Sequence, residues 1–166
     1  MENVFELRPV RPDDNPAVRD LIQTVMPEFG ASGDGFAIRD KEVGEMYEAY
    51  SLPRTAYWVV SDGQRVLGGA GVAPLQGGDP DVCELKKMYF LPELRGKGWG
   101  RKLLRECLLR AKALGFKKCY LETLTHMTQA QGLYQSAGFR RRDRPLGNTG
   151  HFGCDRWYEL DLLDYR

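Results

Sequence analysis

The sequence predicts an α/β domain of the α+β kind, with a mixed, twisted sheet of about six to seven strands flanked by about four helices. Three observations carry this. Two apolar runs, Thr55 to Ser61 and Gln64 to Ala73, meet at Asp62-Gly63, a hairpin signal that makes them antiparallel neighbours. A partly buried run from Val82 to Phe90 is followed by a helical pattern from Trp99 to Leu114 and then by an apolar run from Lys117 to Thr123. Such a β-helix-β unit is right-handed and parallel, so the sheet is mixed. The length, 166 residues, suits a single domain, 1–166, with room for a sizeable core.

The remaining elements follow in order. Val4 to Pro9 alternates as a short strand, and Arg11 to Pro16 turns into a helix that Asn15 can cap, with Pro16 at its first position. Val18, Leu21, Ile22 and Val25 recur at helical spacing, and Pro27 is expected to end the helix. From Glu28 to Asp40 the chain is Gly-rich and irregular, with Phe29 and Phe36 inside it. A second helix is expected from Lys41 to Tyr50, capped by Asp40. The run Gly68-Gly69-Ala70-Gly71 weakens its strand but lets another backbone or a ligand come close. Gly115 closes the crossover helix, which buries Leu103, Leu104, Cys107, Leu108 and Ala111 on one face. A last helix, Thr128 to Ala137, stops at Gly138, and Phe139 to Arg142 and Trp157 to Leu162 are the final strands.

Composition narrows the function by exclusion. Lys and Arg total 24 against 23 Asp and Glu, a net charge of +1, which gives no general attraction to nucleic acid or membrane. No run approaches the roughly 20 apolar residues of a membrane span, and the acidic, Pro-containing start does not read as an export leader. Cys83, Cys107, Cys119 and Cys154 lack C-x-x-C spacing, and the first three fall on apolar faces. Buried free thiols and a reducing cytoplasm are the expectation. No metal is expected, since His126 and His151 do not pair with cysteines at a ligand spacing.

Between the Val82 to Phe90 strand and its helix lies Arg95-Gly96-Lys97-Gly98-Trp99-Gly100. A basic, Gly-rich turn that opens a helix is an anion cradle: the glycines let the backbone approach a phosphate, and the helix presents free N–H groups and its positive end. Three templates compete. A P-loop needs Lys then Ser or Thr where Arg101 and Lys102 stand. A dinucleotide fingerprint finds Gly96, Gly98 and an acid at Glu122, but Arg101 holds its third glycine position and Pro92-Glu93-Leu94 separates strand from turn. The third, Arg-Gly-x-Gly-x-Gly after a Pro-Glu loop, fits. Leu91-Pro92-Glu93-Leu94-Arg95-Gly96-Lys97-Gly98-Trp99-Gly100 resembles the pyrophosphate loop of the GNAT superfamily of acyl-CoA-dependent N-acetyltransferases. Leu133-Tyr134-Gln135-Ser136-Ala137-Gly138-Phe139 is similar to that family's second signature, a helix and a strand downstream.

The resemblance implies a mostly antiparallel GNAT-like sheet, acetyl-CoA as co-substrate, and transfer of its acetyl group to a primary amine. A small metabolite or amino-acid-like amine is the first expectation. A protein or peptide amine is the alternative, and a non-catalytic acyl-CoA-binding module the third. Partners are thus acetyl-CoA and a small amine, with no nucleic acid or membrane, and a homodimer is one assembly open to the chain. By position in the motifs, the amides from Arg95 through Gly96, Lys97, Gly98, Trp99 and Gly100 to Arg101 contact the pyrophosphate, with Lys97, Arg101 and Lys102 adding charge. Backbone groups of Met88, Tyr89 and Phe90 serve the pantetheine arm and thioester, where the strand splays from its neighbour.

An amine acceptor must lose a proton before it attacks. Glu84 occupies the strand position where the family often places its base, and ideal alternation puts Glu84, Lys86, Met88 and Phe90 on one face. His151 and Glu122 are rival bases. The departing thiolate needs a donor, and Tyr134 matches the tyrosine of the second signature; a tyrosine near pKa ~10 can protonate a thiolate near ~8.5 without extreme tuning. Phe29, Phe36 and Tyr47 are candidate acceptor contacts or a small local core, with His151 and Glu122 added from the later chain. The family's asparagine before the last helix is Met127 here, and Thr123, Thr125 or Thr128 could replace it. Arg140, Arg141, Arg142 and Arg144 read as a solvated face or as contacts for an acidic substrate.

Overall fold

The computed structural model describes residues 4–166; residues 1–3, which the 1–166 reading includes, lie outside the described residues. Seven strands form the frame: β1 (Glu6–Pro9), β2 (Ala56–Ser61), β3 (Val66–Pro74), β4 (Val82–Phe90), β5 (Lys118–Thr123), β6 (Arg140–Arg142) and β7 (Arg156–Asp161). They make one sheet in the order β1-β2-β3-β4-β5-β7-β6. Every neighbouring pair is antiparallel except β4 and β5, so the sheet is mixed and mostly antiparallel, as expected.

Four helices flank it: α1 (Asn15–Glu28), α2 (Met46–Ala49), α3 (Trp99–Ala113) and α4 (Thr128–Ser136). α1 presses Val18, Leu21, Ile22 and Val25 against Tyr57, Val59 and Val66 on one face of the sheet. α3 buries Leu103, Leu104, Cys107, Leu108 and Ala111 on the other, together with Tyr134 of α4. Each of those leucines contributes about 1.5–3 kcal/mol by leaving water, which makes the α3 face the principal anchor of the crossover. No helix among the described residues is long and apolar enough to cross a membrane. Cys83, Cys107 and Cys119 are buried free thiols.

The structure corrects several local expectations. Pro27 does not stop α1; it sits inside the last turn, and the helix runs to Glu28. Asn15 is not the cap of α1 but its first residue, and its side chain caps the neighbour instead. Asn15 Oδ1 accepts from the Tyr47 N–H at 2.8 Å, and its amide donates to Glu48 at 2.7 Å. The helix expected from Lys41 to Tyr50 is two pieces, a 3-10 turn over Lys41–Gly44 and the four-residue α2. The break falls at Gly44 and Glu45, where glycine costs a helix backbone most entropy. Asp40 does not cap it, because its carboxylate is committed elsewhere. The hairpin loop is not the two residues Asp62-Gly63 but four, since Ser61 pairs with Val66. Asp62 holds it by accepting from the N–H groups of Gln64 and Arg65.

The glycine run of β3 makes room for side chains, not for a ligand. A Cβ at Gly69 would lie 2.6 Å from the Tyr57 hydroxyl, and one at Gly71 2.5 Å from the Tyr57 ring. At Gly68 it would meet Phe90 at 2.6 Å. Two aromatic rings thus sit against β3 where a side chain would otherwise stand, Tyr57 at Gly69 and Gly71 and Phe90 at Gly68.

Candidate active site

The site is created where β4 fails to be regular. Gly69 opposes Tyr89 and Gly71 opposes Lys86, so β4 carries an extra residue. Lys87 has φ +52°, a left-handed conformation that costs a non-glycine residue about 1–2 kcal/mol. Three contacts hold it there. The Tyr57 hydroxyl donates to the Lys87 carbonyl at 2.8 Å, and Lys87 Nζ pairs with Asp40 at 2.7 Å and with Glu42. A bulge bends its strand. The parallel ladder to β5 accordingly stops at Glu84 and Tyr120, and beyond it a cleft opens between the two strands.

The bulge also overturns the face expected for this strand. Leu85, Met88 and Phe90 pack toward α3, whereas Tyr89 packs toward α1. Lys86 and Lys87 both reach Glu42 on the α1 side. Glu84 and Lys86 therefore do not share a face with Met88 and Phe90.

At one end the cleft widens to about 460 Å³ against the start of α3, lined by Tyr89, Phe90, Arg95, Gly96, Gly100 and Thr128 among others. Gly96 and Gly98 have φ of +72° and +83°, and a Cβ on either would meet no protein atom within 4 Å. The space beside them is open, and Gly98 is the residue before the first turn of α3. Free helix N–H groups at such a place suit an anion. Arg95 is fixed there, donating to the Phe90 carbonyl at 2.9 Å and to Glu28 at 2.8 Å.

At the other end the cleft narrows to about 70 Å³ between β4, β5 and the loops around Phe36 and His151. Glu84, Glu122 and His151 converge there, with one polar atom of each within 4.8 Å of the others. His151 Nδ1 lies 3.9 Å from Glu84 and 3.7 Å from Glu122. Its Nε2 is 3.0 Å from Asp40, and Thr149 donates to Glu122. Burial lifts the Glu84 carboxyl to about 7, with Glu122 adding to the rise and Lys86 and His151 opposing it. Burial would also raise Asp40, but His151 and Lys87 more than offset it and hold that carboxyl at about 2. Burial works against a charged His151, yet Asp40, Glu84 and Glu122 raise it above the ordinary histidine value. Glu42 is held low, against the effect of burial, by Lys87 and Lys86.

Tyr134 lines the same narrow end and is raised by burial. Its ring packs edge-on to Phe139, 5.9 Å between centroids. Cys154 also lines it, with its thiol pushed up to about 12 by burial and by the Glu122 and Glu84 charges. That thiol stays protonated and is a poor nucleophile.

Two loops close this end. The Gly153 N–H donates to the Gly35 carbonyl at 3.0 Å. A Cβ at Gly35 would lie 2.5 Å from the Phe152 ring, and one at Gly153 2.5 Å from Phe36. Each loop thus seats its phenylalanine on the other's glycine.

Most of the residues singled out from the sequence come together. Glu84, Glu122, His151 and Tyr134 line the narrow end, Phe29, Met88 and Tyr89 line both, and Phe90, Arg95, Gly96 and Gly100 line the wide end. Others do not. Tyr47 is absent from the cleft wall. Trp99 stacks edge-on to Phe5 at 5.9 Å in a small separate cluster, Lys97 leans on Phe5, and Arg101 is exposed. Gly98 offers only backbone. Thr125 bonds Asp155, leaving Met127 and Thr128 at the wide end. Arg142 pairs with Glu159, while Arg140 and Arg141 are exposed on the edge strand. Asp40, Glu42 and Lys87 are the residues that sequence reasoning missed. Asp40 looked like a helix cap, and no sequence signal marks a left-handed lysine.

Comparison with known proteins gives the family and the fold. The Acetyltransferase (GNAT) family profile matches residues 17–139. The chain is 46% identical over 143 residues to the uncharacterized N-acetyltransferase YjgM of Escherichia coli (strain K12), covering 86% of each. A GNAT-family acetyltransferase structure from Staphylococcus aureus MU50 aligns with a TM-score of 0.81 at 21% identity, over 96% of this chain and 99% of that one. The structure of the acetyltransferase YncA from Salmonella typhimurium, solved with acetyl-CoA, aligns with a TM-score of 0.79 at 21% identity, over 98% of this chain and 96% of that one.

Proposed function

The chain belongs to the GNAT acetyltransferase family, and from that premise we propose that it transfers an acetyl group from acetyl-CoA to the primary amine of a small metabolite, by direct attack on the thioester. One observation carries the reading: two adjoining hollows along β4, which share Phe29, Met88, Tyr89 and Met127 in their walls, lead from an open glycine turn at a helix start to a buried carboxyl poised near neutrality. Acetyl-CoA supplies the activated acyl thioester. The chain supplies the rest.

Backbone N–H groups at Gly96 and Gly98, with the start of α3 behind them, suit the diphosphate. The β4 edge from Met88 to Phe90, freed of its β5 partner, offers N–H and C=O groups to an extended amide-bearing arm. Glu84 removes a proton from the ammonium group of the acceptor, since a carboxyl near 7 is matched to its task at neutral pH. Tyr134, kept protonated by burial, gives a proton to the departing thiolate. Asp40 fixes His151 by its Nε2, so that Nδ1 faces Glu84 and Glu122. The interlocked loops at the narrow end favour a small acceptor over a protein chain, which would have to part them.

Two substitutions test the assignment. Tyr134→Phe keeps the ring packing and is expected to lower kcat about 100-fold, the low end for loss of a proton donor, with acetyl-CoA affinity unchanged by calorimetry. A variant at wild-type rate would remove Tyr134 from the mechanism. Gly96→Val places a branched side chain in the open space beside the turn at positive φ. It is expected to weaken acetyl-CoA binding at least about tenfold, with thermal unfolding lowered only by the backbone strain. Retained affinity would move the diphosphate elsewhere.

A further inference from the structure

The narrow end of the cleft has apolar walls and a charged floor. Phe29, Phe36, Ala37, Leu124 and Met127 make the walls. On the floor, Glu84 and Glu122 point into one small space, within 4.8 Å of each other and of His151. The cations nearby are engaged. Lys87, whose side chain has 0% exposure, is shared by Asp40 and Glu42, and Lys86 Nζ lies 3.1 Å from Glu42. Arg95 belongs to the wide end and is held by Glu28 and the Phe90 carbonyl. Among the described residues lining the cleft, no lysine or arginine is left for a substrate carboxylate. Four carboxylates, of Asp40, Glu42, Glu84 and Glu122, stand against the ammonium groups of Lys86 and Lys87 and one imidazole.

Such a floor discriminates. An ammonium group entering it comes within reach of both Glu84 and Glu122, while the carbon skeleton lies on phenylalanine and methionine. A carboxylate on the carbon next to that nitrogen would be forced against the same two groups. It would lose its water and find no free lysine or arginine, with His151 already shared by Asp40, Glu84 and Glu122, and a poorly compensated buried charge is strongly unfavourable.

We propose that the acceptor is a primary amine with no carboxylate beside it, an aliphatic or aryl-alkyl amine and not an α-amino acid. The inference rests on the reading of this cleft as the acceptor end of an acetyl-CoA-dependent amine acetyltransferase, and it narrows that reading. Glu122 acts here in selectivity, beside the base role assigned to Glu84.

The test is a set of matched pairs that differ only in the carboxylate: phenethylamine with phenylalanine, tyramine with tyrosine, isoamylamine with leucine. Thiol release is followed with the full chain and acetyl-CoA, and acetyl-CoA binding is measured separately by calorimetry. The amine of each pair is expected to exceed its amino acid in kcat/KM by at least tenfold. Glu122→Gln is expected to shrink that ratio at least threefold, and an unchanged ratio would overturn the role given to Glu122. Amino acids used as well as or better than the amines would overturn the proposal and leave the small-amine reading standing. Transfer to neither member, with acetyl-CoA still bound and peptide N-termini acetylated, would overturn both. No heat of acetyl-CoA binding would overturn the reading of the cleft itself.

Discussion

Glu84→Gln is expected to lower kcat by about 10²- to 10⁴-fold, the range for loss of a positioned base, with acetyl-CoA binding unchanged by calorimetry. The variant keeps the shape and removes the charge. The pH profile is the sharper measurement. Because burial lifts this carboxyl to about 7, wild-type kcat/KM should rise through about pH 7 as Glu84 ionises, and the variant should lack that limb. Undiminished turnover in the variant would pass the role to His151 or Glu122.

The same shift has a sign for stability. The folded chain favours the neutral form of Glu84, so its contribution is fully present below the ordinary carboxyl value of 4.5 and is lost as pH rises through about 7. The permanently neutral glutamine should therefore match the wild type at pH 4 and exceed it at pH 8, by on the order of 3 kcal/mol for a shift of this size. A buried carboxylate that costs stability in its charged form is what the proposed catalytic role leads one to expect.

Lys87→Ala is the second large effect, and it acts on folding. The substitution leaves the Asp40 and Glu42 carboxylates partly buried without the ammonium group that joins them, and it keeps a side chain at φ +52°. Removing one member of a buried pair costs about 3–5 kcal/mol; Lys86 and His151 remain as partial partners, so about 3 kcal/mol is expected. For a domain of this size that lowers Tm by about 6–12 °C in a calorimetric scan. A fall under about 2 °C would mean that the bulge stands without its lysine. Asp40 adds an acid limb: held at about 2, it contributes stability above the ordinary 3.8 that disappears as pH falls through about 2.

Most of the frame was legible because its signals are local. A partly buried run marked β4 at its observed bounds, and helical spacing marked the buried face of α3 residue for residue. The glycine turn and the Leu-Tyr signature pointed to the two ends of the cleft for the same reason. What escaped was decided by contacts between distant segments. Asn15 is a good cap by type, but the helix that it caps lies thirty-odd residues away. Asp40 has the composition of a helix start, yet Lys87 and His151, from β4 and the last loop, claim its carboxylate. Gly68, Gly69 and Gly71 announced a close approach without saying that Phe90 and Tyr57 make it. Tyr47 and Phe36 looked alike as aromatic residues between the first two strands, and only the path of the chain puts Phe36 at the cleft and leaves Tyr47 outside.

The extra residue in β4 changes parity. Glu84 and Tyr89 are five positions apart, an odd spacing that sends two side chains to opposite faces of any regular strand. With Lys87 counted out of the ladder, the spacing becomes even, and the carboxyl and the aromatic ring look into the same chamber from one side of the sheet. A single strand can then present both the proposed base and an aromatic wall to the same chamber.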